Sequence, residues 1–239
     1  ATSALRADER IVNYIVEPKH IIDDRLMPFI APIEITETDE EALAPSQLRT
    51  AETLRHYLEI NLANSGQRPL IVQLIGADSL AKQVIARHAL LSFGLQMSRF
   101  PVETLPAQTA EVETLLRLWA RERQLLPVAL YLDTHGMDAA AAAAQSAAAV
   151  QRLIKGCGGM VIIATRDIRP DFGGWTLEIG RPTAIEQQMA WRAALGSNAN
   201  DMGARLAGQF SLDLPSIHQI ARTELAEAAA QGSNLPQRV

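Results

Sequence analysis

Leu70-Ile-Val-Gln-Leu-Ile75, continuing as Gly76-Ala-Asp-Ser-Leu-Ala-Lys-Gln83, is the stretch on which the reading of this chain turns. Six mostly apolar residues, several of them branched, read as a strand buried on both faces. Gly76 permits a sharp turn, and the residues from Leu80 to Phe93 then follow a helical pattern. The alternation repeats downstream. Gln96 to Val102 predicts a second strand, Thr109 to Gln124 a helix broken before Pro127, and Val128 to Leu132 a third strand. The alanine tract from Ala139 to Ala149 predicts a helix, since alanine is the strongest helix former. Met160 to Ala164 predicts a fourth strand and Trp175 to Ile179 a shorter fifth. Strands alternating with helices imply crossover units and a mostly parallel sheet in an α/β domain.

Outward from this core the pattern changes. From Thr183 it is helical only, over Thr183 to Leu195, Asp201 to Phe210 and Pro215 to Ala230, which predicts a small helical lid after the sheet. Upstream, Ser46 to Leu62 predicts an amphipathic helix with Leu48, Leu54, Leu58 and Leu62 near one face. Residues 3–17 have helical spacing, with Ser3 as a cap and Pro18 as a stop. A second short helix is expected around Ile21–Met27, stopped by Pro28, followed by an extended acidic linker from Glu34 to Glu41. This N-terminal piece is expected to lean on the main domain or to belong to a neighbouring one. The division is therefore 1–45 as an N-terminal helical segment and linker, 46–182 as the α/β core, 183–231 as the lid, and 232–239 as a tail of linker composition.

Composition narrows the class. The chain has 239 residues, enough for one large core. A net charge of −5 disfavours nonspecific nucleic-acid binding, which wants a basic surface. No apolar run approaches the ~20 residues of a membrane-spanning helix. Cys157 is the single cysteine, so no internal disulfide is possible, and its use fits a reducing, cytoplasmic setting. In Lys155-Gly-Cys-Gly-Gly159 it reads as a small residue in a tight turn. The chain opens Ala-Thr-Ser without methionine, which reads as the edge of a longer polypeptide, and no secretory signal pattern follows it.

A phosphate-binding loop needs a glycine, four free positions, then glycine, lysine and a hydroxyl residue. Its amides cup anionic oxygens, its lysine reaches the outer phosphates, and its hydroxyl holds magnesium. Gly76 and Lys82 stand at the required spacing, between strand and helix. Ala81 replaces the second glycine, Gln83 replaces the hydroxyl, and Asp78 places a negative charge in the loop. The competing reading is an ordinary strand–turn–helix connection with an exposed lysine. The third strand ends in Asp133, where a carboxylate can hold a magnesium shell or cap the next helix. Thr134 follows, and a threonine cannot act as a general base near neutral pH.

Taken in order, these degraded motifs resemble those of the AAA+ ATPases, a P-loop NTPase family. The strand Val161-Ile-Ile-Ala-Thr165 resembles the one that carries the family's first sensor, with Arg166 where most members have asparagine. Phe210-Ser-Leu-Asp-Leu-Pro-Ser-Ile-His218 resembles the lid segment of the second sensor, with His218 in place of arginine. More narrowly, Leu5-Arg-Ala-Asp-Glu-Arg-Ile-Val-Asn-Tyr14 with Asp23-Asp-Arg-Leu26 is similar to a junction in large bacterial tandem AAA ATPases, some encoded with contractile injection systems. There a winged-helix-like segment precedes a degenerate ATPase module and an intact one follows.

The resemblance implies a P-loop NTPase-like sheet with an AAA+ lid. It implies a nucleotide site at Gly76, Lys82, Gln83, Asp133 and His218, with Asp133 toward magnesium and with ATP or ADP as the ligand. It also implies neighbouring ATPase modules as partners and a homo-oligomer in the full-length protein. The expected role is a degenerate module acting in assembly or regulation. Slow residual hydrolysis and a clamp-loader-like interaction subunit are the alternatives. Arg169 and Arg181 are read as solvated arginines rather than intersubunit fingers.

Overall fold

The computed structural model describes residues 9–16, 22–33, 43–62, 68–135, 143–196 and 202–231. Five strands form one sheet, β1 Leu70–Ile75, β2 Gln96–Pro101, β3 Val128–Asp133, β4 Met160–Thr165 and β5 Trp175–Glu178, in the order β2-β3-β4-β1-β5. Every pairing is parallel. All six residues of β3 and all six of β4 are buried, as the near-continuous apolar runs of a sheet covered on both faces require. This parallel sheet flanked by helices is the P-loop NTPase-like arrangement.

Alternation along each strand sorts side chains to two cores. Leu70, Val72 and Leu74 of β1 and Ile162 of β4 join the helices α2 Pro45–Leu62 and α3 Ser79–Leu91 on one face. Leu130, Leu132, Val161 and Ile163 face α4 Thr109–Leu125 and α5 Ala143–Gly156 on the other. Tyr57 of α2 stacks on Trp175 of β5 at 4.1 Å, and Phe100 meets Trp119 edge-on at 5.3 Å. The buried stripe of α2 is Gln47, Ala51, Leu54 and Leu58, whereas Leu48 and Leu62 are exposed. The buried face is rotated from the expected one: it keeps Leu54 and Leu58 but runs through Gln47 and Ala51 in place of Leu48 and Leu62. Cys157 is buried at the end of α5, where loss of hydration pushes its thiol up to about 12.

The segment before α2 is folded against the core. The helix α1 (Glu9–Val16) sends Arg10 to the fully buried Glu122 of α4, donating at 2.8 to 3.1 Å. Arg121 contacts Asp23, and Arg25 binds the same carboxylate and holds it well below its ordinary range. Among the described residues, Ile22 to Met27 do not form the expected helix, and Ile21 lies outside them. The Asp23 carboxylate accepts from Arg25 N at 2.8 Å and turns the chain, and a 3-10 turn follows at Met27–Phe29 with Pro28 inside it. Ala31 then bridges Arg99 of β2 in antiparallel fashion. Ser3, Pro18 and the acidic stretch from Glu34 to Glu41 lie outside the described residues, as does the tail. No described helix is long and apolar enough to cross a membrane.

Three helices close the chain, α6 Ala184–Leu195, α7 Met202–Gln209 and α8 Leu214–Gln231, around Trp191, Leu195, Leu206 and Ile217. A capping box starts α6, with Thr183 and Glu186 bonded reciprocally. The Glu186 carboxylate also accepts from Ser46 N and Ser46 Oγ of α2, each at 2.7 Å. One side chain thus caps the lid and ties it to the core. Burial raises the Glu186 pKa, but the bonds from Ser46 and Thr183 outweigh this and hold it at about 2. A carboxylate depressed in the folded state stabilises above its unfolded pKa, near 4.5, and that gain is lost as pH falls toward about 2. Glu186→Ala is expected to lower the unfolding free energy by about 2 kcal/mol near neutral pH. In urea titrations the gap between the two proteins should narrow as pH falls from about 5 to about 2.

Candidate functional site

The turn between β1 and α3 lies at the carboxyl edge of the sheet, where open parallel sheets place their ligand sites. Gly76 has φ +137°, and a Cβ there would fall 2.6 Å from the Ile179 carbonyl oxygen. Only glycine fits. Its amide donates to the carbonyls of Thr165 and Arg166, both at 3.2 Å, which fastens the turn to the end of β4. Asp78 is the N-cap of α3, its Oδ1 accepting from Ala81 N at 2.9 Å. The helix has therefore begun by Ser79, and only Gly76 to Asp78 form the turn. Three of the four positions that would be open in a phosphate loop, counting from Asp78, are taken up by this cap and the first helical turn. The negative charge of Asp78 stands at the helix N-terminus, in the place an anion would favour.

Lys82 is wholly buried. Its Nζ donates to Gly76 O and to Thr165 O, each at 2.6 Å, and lies 2.6 Å from His135 Nε2. An ammonium carries three protons, and here three acceptors meet them. With Lys82 charged, Nε2 accepts and the imidazole carries its proton on Nδ1. Burial pushes the ammonium down to about 8, with nearby Asp133 and Asp78 opposing the change and Arg166 adding to it.

Asp133, at the end of β3, is buried and fully engaged. Its Oδ2 accepts from Arg99 Nε at 3.1 Å and Arg99 Nη2 at 2.9 Å, while Oδ1 accepts from His135 N at 3.2 Å. The parallel register sets Pro101 beside Asp133, which brings Arg99 of β2 within reach. Arg99 also donates to Pro32 O, so the N-terminal segment shares the same guanidinium. Thr134 is buried and its hydroxyl donates to Ala164 O at 2.8 Å, a link between β3 and β4.

The structure thus brings Gly76, Lys82 and Asp133 to one edge and adds His135 and Arg99, which motif spacing did not single out. Arg99 is the lone charge inside β2, and His135 continues the polar run after Asp133. Both signals exist in the sequence, but neither has meaning until the strand order is known. Gln83 is wholly buried in α3. His218 is half-buried near the start of α8, and its carbonyl accepts from Arg222 Nε at 3.4 Å. Among the described residues no hydrogen bond joins His218 to Lys82 or Asp133. Arg169 pairs with Asp171 and lies over the Phe172 ring, and Arg181 donates to Ser211 O at 2.7 Å.

Magnesium and a triphosphate need open oxygen donors and free amides. Here the one acidic side chain at the edge of β3 is held by Arg99, position 83 has no hydroxyl, and the Lys82 protons are spent on the protein itself. Among the described residues no group of three or more His, Cys, Asp or Glu side chains is arranged to hold a metal. The side chains as placed do not fit that pair of ligands.

No curated protein matches the chain. Residues 183–239 match the family model of the contractile injection system ATPase helical domain. The match begins at Thr183, the cap of α6, and spans the lid. An ATPase-related family makes adenine nucleotide and magnesium plausible ligands in general. A parallel P-loop NTPase-like sheet followed by that helical domain makes the chain similar to the AAA+ ATPases associated with contractile injection systems.

Proposed function

We propose that this chain is a degenerate ATPase module of a contractile injection system, acting through assembly or regulation of a larger AAA ATPase rather than through its own chemistry. The observation that carries this reading is the state of Lys82. A catalytic lysine of this kind must offer its charge to a phosphate, whereas this one is consumed by Gly76 O, Thr165 O and His135. Asp78 caps the helix that would otherwise face the anion, and Arg99 occupies the Asp133 carboxylate. The position after Asp133 offers no hydrolytic base either, because it is Thr134, whose hydroxyl is bonded within the sheet. The retained scaffold supports a structural role in a multi-subunit assembly, with neighbouring ATPase modules as the partners and the lid held to the core by Glu186.

Calorimetric titration with ATP and ADP, with and without magnesium, should give no saturable heat, and phosphate release should equal that of Lys82→Met. Micromolar, magnesium-dependent binding that Lys82→Met abolishes would overturn the reading and restore a live pocket.

The buried ammonium also predicts a pH signature. Its proton is held less tightly when folded, at about 8 against an ordinary 10.5, so the unfolded chain binds more protons between those values. The charge therefore destabilises the fold fully below about pH 8, and that cost fades as pH rises toward 10.5. Relative to Lys82→Met, the wild-type protein should gain roughly 2 kcal/mol of unfolding free energy between about pH 7 and about pH 10. A pH-independent difference would show that Lys82 is not desolvated.

A further inference from the structure

At the opposite end of the sheet from Lys82, the described residues line a cavity of about 360 Å³. Its floor is apolar, made by Ile71 of β1, Ile154 of α5 and Phe172 of the turn that leads to β5, and the last two are nearly inaccessible to solvent. One side of the rim is Asp171. That carboxylate is already neutralised, since Arg169 donates to it at 3.2 and 3.3 Å while lying 4.8 Å from the Phe172 ring. Gln151, on the facing helix, also hydrogen-bonds Asp171.

The rest of the rim carries Arg68 and Lys155. Both are exposed, and neither has an ionic partner among the described residues. They come from different elements, Arg68 from the approach to β1 and Lys155 from the last turn of α5. The cavity is thus an apolar seat flanked by two exposed cations without ionic partners among the described residues, on a chain whose net charge is −5. Its volume lies at the lower end of the ~300 to ~1,000 Å³ range of ligand pockets, room for one or two large side chains.

We propose that this cavity binds an acidic segment of a partner polypeptide. One aromatic or large aliphatic side chain sits over Ile71, Ile154 and Phe172, and carboxylates on either side of it pair with Arg68 and Lys155. Charge complementarity selects this occupant. A small monocarboxylic acid leaves the second cation unmatched, and a short dicarboxylic acid lacks a large apolar group for the floor, whereas a peptide supplies an apolar anchor and separate charges together. Nucleic acid would not fill the apolar floor with two phosphate contacts alone.

The test uses the full chain and a fluorescein-labelled peptide in which one phenylalanine is flanked on each side by two aspartates, followed by fluorescence polarisation. Saturable binding is expected, about tenfold weaker for the peptide with alanine in place of phenylalanine. The double variant Arg68→Glu/Lys155→Glu should bind the original peptide at least about tenfold more weakly. Its Tm should stay unchanged, because neither side chain has an ionic partner among the described residues. Binding should also weaken between about 50 and about 300 mM salt. Equal affinity for the phenylalanine and alanine peptides would reduce the site to charge attraction and overturn the proposal. So would unchanged binding by the double variant, or no saturation by about 1 mM peptide. If 3-phenylpropionate competes with the affinity of the whole peptide, the cavity belongs to a small acid and the peptide assignment fails.

Discussion

The ammonium of Lys82 lies out of contact with solvent and must find each of its partners inside the protein. Two of them are main-chain carbonyls, one from Gly76 at the end of β1 and one from Thr165 at the end of neighbouring β4. The third is His135, two residues beyond β3. A single desolvated charge therefore joins the carboxyl ends of three strands. Gly76, whose carbonyl serves Lys82, cannot be another residue, because its turn is pressed against Ile179. Each of these contacts would have to be exchanged before the lysine could reach an outside phosphate, and the exchange is unfavourable because the carbonyls would be left buried without a donor.

Two peripheral parts of the chain converge on this edge and on its supports. The N-terminal segment reaches it through Arg99, whose main chain bridges Ala31 and whose side chain serves both Pro32 and Asp133. The ionic cluster of Arg10, Glu122, Arg121 and Asp23 fixes the same segment to α4. Ion pairs of this kind are retained once buried because removing one partner strands the other. At the far end of the chain, Glu186 ties the lid to α2 while Gln187 donates to Pro182 O and accepts from Leu212 N. The lid is thus held by short, charge-assisted bonds to the core. A bridging nucleotide is not needed to hold it there.

The lid is also where the chain is recognisable by comparison, since the match to the contractile injection system ATPase helical domain covers residues 183–239 and the sheet lies outside it. The sheet has the all-parallel geometry of a P-loop NTPase-like fold, while position 83 carries glutamine where the phosphate-loop pattern has a hydroxyl. Apolar packing tolerates exchange of one aliphatic side chain for another, whereas a phosphate site fails when a single amide or carboxylate is turned inward. Scaffold and chemistry can therefore part company, and a shared fold does not carry its function with it.

From the sequence alone, short apolar runs and the 3.6-residue helical spacing determined the class of fold, the five strands and the lid helices, because burial on both faces of a sheet or on one face of a helix imposes those patterns locally. The turn after β1 and its lysine were legible for the same reason: Gly76 and Lys82 are six residues apart in one strand–turn–helix unit. What only the tertiary structure decided was the partner of each polar group. Arg99 and Asp133 meet because β2 lies beside β3, Lys82 and Thr165 because β4 lies beside β1, and Ser46 and Glu186 because α2 and α6 begin side by side. Strand order is a global outcome of packing, unseen by any local window of residues. For that reason an exposed, phosphate-seeking Lys82 and a wholly internal one look the same in sequence, and only the fold distinguishes them.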